Sequence, residues 1–228
     1  MISMALLMSV FFVLAHSCKK DDDNGENDDS ITYGTFTDAR DGNIYKTIKI
    51  GSQVWMAENL RFLPSVTGPE TGSTITPYYY VYDYYGTNVA DAKATANYTT
   101  YGVLYNFPAA CSSCPDGWHL PSDAEWTQLT TYLGGENIAG GKLKETGTTH
   151  WVSPNTGATN TTGFTALPGG YRFIDNNFVG IGEYGFWRSV TEGGTDGAWV
   201  RIITYDDSEV DNGTTYKEMG LSVRCLKN

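Results

Sequence analysis

Cysteine and histidine are the side chains of this sequence whose spacing suggests redox or metal chemistry. Cys111 and Cys114 have the C-x-x-C spacing of thiol–disulfide oxidoreductases, in which the motif opens a helix beneath a parallel sheet. No strand–helix–strand pattern precedes it, so we do not predict redox activity. Together with His119 and Cys225, these thiols have the ligand types of a structural zinc site. We predict no metal site, because a short strand with the His119 ring bonded to backbone is the simpler interpretation.

Other catalytic groups lack a supporting motif. His119 and His150 follow the leader segment described below, and neither stands in the nucleophile motif of a Ser-His-Asp enzyme. Two carboxylates for glycoside cleavage would be brought together by the fold rather than by the sequence, so a polysaccharide-degrading enzyme remains the alternative. We predict no catalytic residue and no cofactor. One acidic run offers oxygen ligands of the kind that calcium uses, although a polar loop between strands also explains it: Asp206, Asp207, Glu209 and Asp211.

The candidate ligand-binding residues lie in the loops of residues 146–183. Aromatic and polar side chains suit polar, planar ligands, and this segment contains Trp151, Asn155, Asp175 and Asn177. We predict that these four residues contact a ligand. The alternative is that they form turns and pack against the core.

The composition excludes two classes of partner. A formal net charge of −11 disfavours nucleic acid, whose phosphates require a basic surface. The same charge disfavours electrostatic docking on anionic lipid. Aromatic residues make up 14% of the chain and glycine occurs 26 times, which is typical of a turn-rich β domain with a sizeable core.

The first 30 residues have the composition of an export signal followed by a tether. Residues 1–17 are predicted to be a signal peptide. Their apolar run, residues 1–15, is too short for a membrane span of about 20 residues but typical of a secretory leader. The sequence Ala15-His16-Ser17-Cys18 resembles a bacterial lipobox, which makes Cys18 the expected lipid attachment residue. Cleavage near Ser17 that leaves Cys18 free is the alternative.

Residues 18–30 continue as an acidic segment that lacks the apolar side chains a folded core requires. We predict a disordered tether. Its Cys-Lys-Lys-Asp-Asp-Asp start resembles the surface-export signal of Bacteroidetes lipoproteins. That resemblance implies an outer-membrane lipoprotein displayed on the cell surface, and a linker without targeting information is the alternative.

Residues 31–228 contain no second linker, so we predict one domain. The clearest local signal is a capping box in which Ser122 and Glu125 bracket a helix start. Apolar residues recur at helical spacing at Trp126, Leu129 and Leu133, and Gly134-Gly135 ends the helix. Residues 101–111 are predicted to be helical as well.

Strands are predicted before and after these helices. Residues 35–37, 45–50 and 53–56 form a meander, and residues 78–85 form a tyrosine-rich strand. Later strands are predicted at residues 164–167, 171–174, 178–181, 185–191, 198–205 and 220–226. Because apolar residues alternate along 198–205, we expect that strand and the last one to form the central ladder.

Several stretches resemble the Fibrobacter succinogenes major paralogous domain family. They include Trp55-Met56-Ala57-Glu58-Asn59-Leu60 and Val223-Arg224-Cys225, and together they cover residues 49–60, 101–106, 114–126, 139–145, 163–172 and 221–225. The family implies export and lipid anchoring but no established activity. A more distant likeness to C-type-lectin-like domains, including the formylglycine-generating branch, implies a disulfide between Cys114 and Cys225 and leaves Cys111 as the odd thiol.

The expected fold is therefore an α+β, C-type-lectin-like domain with short twisted antiparallel sheets, two short helices and long loops. The calcium-binding tripeptides of sugar-binding C-type lectins do not occur, so calcium-dependent lectin activity is not expected. We predict that the domain binds an extracellular glycan or a surface protein. An enzyme with scattered carboxylates and a structural envelope component are the other classes.

Overall fold

The computed structural model describes residues 31–228, which form one compact unit. Within these residues there are thirteen strands and five helices. The strands are β1 Gly34–Thr37, β2 Ile44–Ile50, β3 Gln53–Met56, β4 Tyr79–Tyr80, β5 Leu104–Tyr105, β6 Trp118–His119, β7 Gly169–Arg172, β8 Phe178–Ile181, β9 Tyr184–Glu192, β10 Gly197–Thr204, β11 Asp211–Tyr216, β12 Leu221–Ser222 and β13 Leu226–Lys227. The helices are α1 Val89–Lys93, α2 Ala96–Tyr101, α3 Phe107–Ser113, α4 Asp123–Tyr132 and α5 Glu136–Leu143.

The first sheet joins the two ends of the domain. Its strand order is β1-β2-β3-β13-β6, and the first three strands are the antiparallel meander that the sequence predicts. The last strand of the chain inserts between β3 and β6, where Leu226 lies opposite both Trp55 and His119. Alternating burial along β2 directs Ile48 and Ile50 into the core. The final residues of the domain therefore complete the sheet that its first residues begin.

The second sheet has the order β11-β10-β9-β12-β5-β4, with the β7–β8 hairpin attached through a parallel pairing of β7 with β9. The predicted central ladder is wrong, because β10 lies between β9 and β11. Residues 220–226 instead divide into two short strands, one in each sheet. The sequence missed β11 because this edge strand, Asp211–Tyr216, is polar and largely exposed.

Helix α4 begins and ends where the sequence predicts. The capping box is complete, because the Ser122 hydroxyl accepts from the Glu125 amide and the Glu125 carboxylate accepts from the Ser122 amide. There are five helices in residues 31–228 rather than the expected two. Helices α1, α2 and α5 are the additional ones, and α1 to α3 are five to seven residues long. They are stabilised by the cap residues Asn88, Thr95 and Asn106, not by a long apolar stripe.

Three further predictions of secondary structure need correction. The predicted helix at residues 101–111 is a two-residue strand, β5, followed by α3, whose first turn contains Pro108. The predicted strand at residues 78–85 is limited to Tyr79–Tyr80. Residues 164–167 form only an isolated bridge between Ala166 and Lys144. In each case a short apolar run pairs with a neighbouring strand over only one or two residues.

Aromatic side chains fill the core between the first sheet and α4. The Trp55 and Trp126 rings lie 4.6 Å apart, and Phe164 packs edge-on against both. The Trp126 side chain is buried, as the helical spacing predicts. A second apolar cluster lies between the meander and α1 to α3 and includes Tyr45 and Tyr105.

Cys114 and Cys225 form a disulfide, with their Cα atoms 5.9 Å apart. The bond joins the end of α3 to the residue before β13, as the family resemblance implies. Cys111 is a free thiol on the exposed side of α3. Across residues 31–228, no helix combines the length and the hydrophobicity that a membrane crossing requires. The domain is thus a mixed α+β fold in which a disulfide links the end of α3, in the middle of the chain, to the last strand region.

Candidate functional site

Two of the four predicted ligand-binding residues lie inside the domain. The Trp151 side chain is 1% exposed, and its indole N–H donates to the Ala166 carbonyl at 2.9 Å. Asn155 is also buried, and its amide donates to the carbonyls of Glu145 and Gly147 at 2.8 and 2.7 Å. Both side chains hold the loop after α5 against the core, so they offer no accessible surface to a ligand.

The other two predicted residues, Asp175 and Asn177, are exposed in the turn between β7 and β8. The Asp175 carboxylate accepts from the Asn177 amide at 3.1 Å, which stabilises the turn. Because Trp151 and Asn155 are buried, the four residues do not form one accessible surface. Cys18, the expected lipid attachment residue, lies outside the described residues.

His119 lies on β6, and its ring nitrogens contact side chains rather than the backbone. Nε2 is 2.9 Å from a Glu125 carboxylate oxygen and Nδ1 is 2.7 Å from the Asn228 side-chain oxygen. This corrects the expected backbone bond. In the part of the chain that the structure describes, no three His, Cys, Asp or Glu residues are grouped so as to hold a metal ion.

A different region combines a cavity with unusual chemistry. The cavity has a volume of about 180 Å³, and we call it the Arg224 pocket. Four segments meet at this pocket: the residues after β3, the end of α2, the residues before β7 and the residues before β13. Its lining residues are Tyr33, Lys46, Ala57, Glu58, Asn59, Arg61, Thr99, Thr100, Gly102, Thr165, Leu167 and Arg224. Most of them belong to the stretches that carry the family resemblance.

Arg224 is a buried guanidinium at the base of this pocket. The side chain is 1% exposed, and it stacks on the Phe164 ring with 4.0 Å between the guanidinium carbon and the ring centre. Its Nη1 donates to the Phe164 carbonyl, and its Nη2 donates to the Thr165 carbonyl and to the Asn59 side-chain oxygen, each at 3.2 Å. Nε is buried and has no hydrogen-bond partner in residues 31–228.

No carboxylate within 4.0 Å neutralises Arg224 in residues 31–228. Burial lowers the pKa of the Arg224 guanidinium to about 9, because the charged form loses its hydration and the nearby Glu58 carboxylate offsets only part of that loss. The group stays protonated at neutral pH. The pocket therefore contains a buried positive charge that is compensated only in part.

Thr165 has a strained backbone at the wall of the pocket. Its φ is +55°, a left-handed conformation that β-branched residues rarely adopt. Asn160 holds this conformation, because its side-chain oxygen accepts from the Thr165 amide at 2.9 Å and its NH₂ donates to the Thr165 hydroxyl at 3.0 Å. The conformation presents the Thr165 carbonyl to Arg224. Strain of this kind concentrates at functional sites.

The rim of the pocket contains two cations and one carboxylate. Glu58 pairs with Arg61 at 3.1 Å and also accepts from the Lys46 backbone amide at 2.6 Å. Arg61 Nη2 donates to the Ile44 carbonyl at 2.8 Å, which fixes its position. The Lys46 ammonium lies 5.4 Å from the centre of the Tyr33 ring. Lys46 is the cation of the rim whose side chain is exposed.

The sequence did not identify the pocket, because its residues come from separate stretches without a local motif. One signal was present in the strand-like sequence Val223-Arg224-Cys225, where an arginine stands between two apolar residues of the last strand region. An arginine in such a position is predicted to be buried. The residues that surround Arg224 are known only from the fold.

The sequence that forms this α+β domain matches a known family. The model of the Fibrobacter succinogenes major domain family matches residues 48–227. The match covers most of the chain, so this protein belongs to that family. The comparisons with curated proteins and with solved structures each found no match.

Proposed function

We propose that this protein is a surface-displayed lipoprotein whose domain binds an extracellular glycan in the Arg224 pocket. The observation that carries the proposal is the pocket itself, which combines hydroxyl, amide and charged side chains with one aromatic ring. Its volume of about 180 Å³ is below the roughly 300–1,000 Å³ of pockets for drug-sized ligands. A single sugar ring at the end of a glycan suits this size and this lining.

The small number of carboxylates in this pocket favours binding over catalysis. Glycoside cleavage in most families uses two facing carboxyl groups. Glu58 is the single carboxylate among the lining residues in the described part of the chain, and Arg61 is paired with it. The proposal is therefore recognition without bond cleavage.

We assign the domain a C-type-lectin-like architecture as part of the same proposal. Support comes from the last strand, which returns to the first sheet, and from the disulfide that joins α3 to this strand. Sugar binding in this architecture would not require the calcium tripeptides that the sequence lacks, because the Arg224 pocket supplies its own cations.

A glycan array probed with the soluble form of the chain, residues 19–228, tests the proposal. Thr99 lines the pocket from the exposed side of α2, so Thr99→Trp should fill the cavity and abolish retention of the glycans that the wild type binds. Thr131→Trp adds the same ring at an exposed position of α4 and should retain them. Retention of no glycan by the wild type, or equal retention by both variants, would refute glycan binding in this pocket.

Anchoring is tested separately through Cys18. Replacing Cys18 by alanine should move the protein from the membrane fraction to the soluble fraction and abolish incorporation of labelled palmitate. Equal incorporation by wild type and variant would contradict lipidation at this residue.

Surface display is tested through the acidic segment. Replacing Asp21, Asp22 and Asp23 by alanine should keep the anchor and reduce cleavage by protease added to intact cells. Unchanged cleavage would show that residues 18–30 act only as a spacer.

A further inference from the structure

We infer that the sugar bound in the Arg224 pocket is acidic, and that its carboxylate contacts Lys46 above the buried Arg224. Uronic acid and sialic acid residues are the class of ligand that this assignment specifies. The inference rests on the proposed function and names the ligand of the same site. It follows from the charges of the pocket, from the burial of Arg224 and from the polar lining.

Three cations, Lys46, Arg61 and Arg224, line the pocket together with one carboxylate, Glu58. Glu58 is engaged by Arg61, whereas neither Lys46 nor Arg224 has a carboxylate within 4.0 Å in residues 31–228. This excess of positive charge occurs in a chain whose formal net charge is −11. An acidic protein that keeps three cations and one carboxylate around one cavity has the electrostatic arrangement of an anion site.

Burial strengthens the attraction for an anion. Removing a guanidinium from water is costly, and an anion placed nearby compensates for that cost. For Arg224, Glu58 offsets only part of the cost. Arg224 is nine-tenths or more buried, and its Nε has no partner. Because the Coulomb interaction is stronger at low dielectric than in water, Arg224 favours an anion in the pocket even where Lys46 makes the direct contact.

The lining selects a hydroxylated ring rather than a bare anion. Thr99, Thr100 and Thr165 place three hydroxyl groups around the cavity, and Tyr33 provides a ring beside Lys46. Hydroxyl groups of the protein can donate to and accept from sugar hydroxyls. A sugar that carries both hydroxyls and one carboxylate matches the threonines and the cations together.

Isothermal titration of residues 19–228 with free sugars tests the inference. The acidic probes are galacturonate, glucuronate and N-acetylneuraminate, and the matched neutral probes are galactose and glucose. At least one acid should bind about tenfold more tightly than its neutral counterpart, because a charge-assisted contact replaces a neutral one. Raising the salt concentration should weaken binding of the acid, since the Lys46 contact is exposed and screened.

Matched lysine variants locate the contact. Lys46→Met should lower the affinity for the acid about tenfold, and the exposed position of Lys46 means that folding is retained. Lys49→Met removes an exposed lysine of the same strand that does not line the pocket, and it should leave the affinity unchanged. Equal losses in both variants would overturn the assignment to Lys46.

The outcomes separate this inference from the proposed function. Neutral sugars that bind as tightly as the acids would overturn the acidic assignment while leaving glycan binding intact. Acetate that binds as tightly as galacturonate would overturn the requirement for a sugar ring. No measurable binding of the three acids, with neutral glycans retained on the array through a Thr99-dependent site, would also overturn this inference alone.

Discussion

Single buried cations determine much of the local structure of this domain. Lys144 is fully buried, and its ammonium donates to the carbonyls of Thr156, Thr204 and Asp207 at 2.8, 2.9 and 2.6 Å. These three carbonyls belong to the loop after α5, the end of β10 and the loop before β11. One lysine therefore joins the loop after α5 to the connection between β10 and β11. Apart from one isolated bridge, residues 146–168 have no regular secondary structure.

Replacing Lys144 by methionine should destabilise the domain by about 2–3 kcal/mol, because the substitution leaves buried carbonyls without their charged donor. Urea unfolding of the wild type and the variant at pH 7 measures this difference. Lys49→Met, at an exposed position, is the control and should change the unfolding free energy by less than about 0.5 kcal/mol. A Lys144→Met variant as stable as the control would show that the three contacts contribute nothing.

The same lysine predicts a pH dependence of stability. Burial lowers the pKa of Lys144 from 10.5 to about 8, so between these two pH values the unfolded chain binds the proton and the folded chain releases it. Stability rises with pH wherever the unfolded state binds more protons. The contribution of Lys144 to the unfolding free energy should therefore rise from pH 8 towards 10.5. The difference between wild type and Lys144→Met should widen over that range, and a constant difference would contradict the shifted pKa.

At the scale of the element, α2 is held against the pocket by the glycine that ends it. Gly102 has a φ of +80°, and a Cβ atom at this position would lie 2.7 Å from the Leu60 carbonyl oxygen. The Val103 amide donates to that same carbonyl at 3.2 Å. The end of α2 thus approaches residues 59–60 as closely as the backbone allows, and this approach forms one wall of the pocket.

Gly102→Ala should be more destabilising than Gly42→Ala. Both positions have a positive φ, but a Cβ at Gly42 would meet no atom within 4 Å. Gly42→Ala should cost about 1–2 kcal/mol, the usual penalty of a left-handed backbone, and Gly102→Ala should add the steric clash with Leu60. Thermal unfolding of the two variants gives the comparison. Equal losses of stability in the two variants would mean that the backbone at Leu60 moves away without cost.

Helix α4 provides a second comparison at this scale. Ser122→Ala removes the N-cap acceptor and should destabilise the domain by about 1 kcal/mol. Trp126→Ala empties a site in the aromatic core and should cost roughly 3–5 kcal/mol. An equilibrium unfolding experiment in which the tryptophan variant is the milder of the two would contradict the position of Trp126 in the core.

The domain of residues 31–228 is closed by its last strand and by one disulfide. The last strand lies between strands from the first part of the domain, and the disulfide spans 111 residues. The chain-entropy model assigns a loop of about 100 residues roughly 4–5 kcal/mol, although measured values are often smaller. The disulfide therefore stabilises the attachment of β13 to the first sheet, next to its pairing with β6.

Replacing Cys114 and Cys225 together by serine should lower the unfolding free energy by about 2–5 kcal/mol, whereas Cys111→Ser should have little effect. Differential scanning calorimetry of the three proteins gives the ranking. Peptide mapping without reduction should recover residues 114 and 225 in one linked peptide, with Cys111 open to alkylation. A linked peptide that contains Cys111 and Cys114 would contradict the observed pairing.

The sequence by itself determined the features that depend on neighbouring residues. The capping box, the apolar spacing of α4 and the first meander require only local contacts, and they occur as predicted. Family resemblance, not local pattern, supplied the partner of Cys114. Strand order, the polar edge strand β11 and the burial of Trp151 and Asn155 depend on contacts between distant residues, which local periodicity does not specify. The Arg224 pocket belongs to this second class, because its cations, threonines and strained Thr165 meet only when segments more than 100 residues apart pack together.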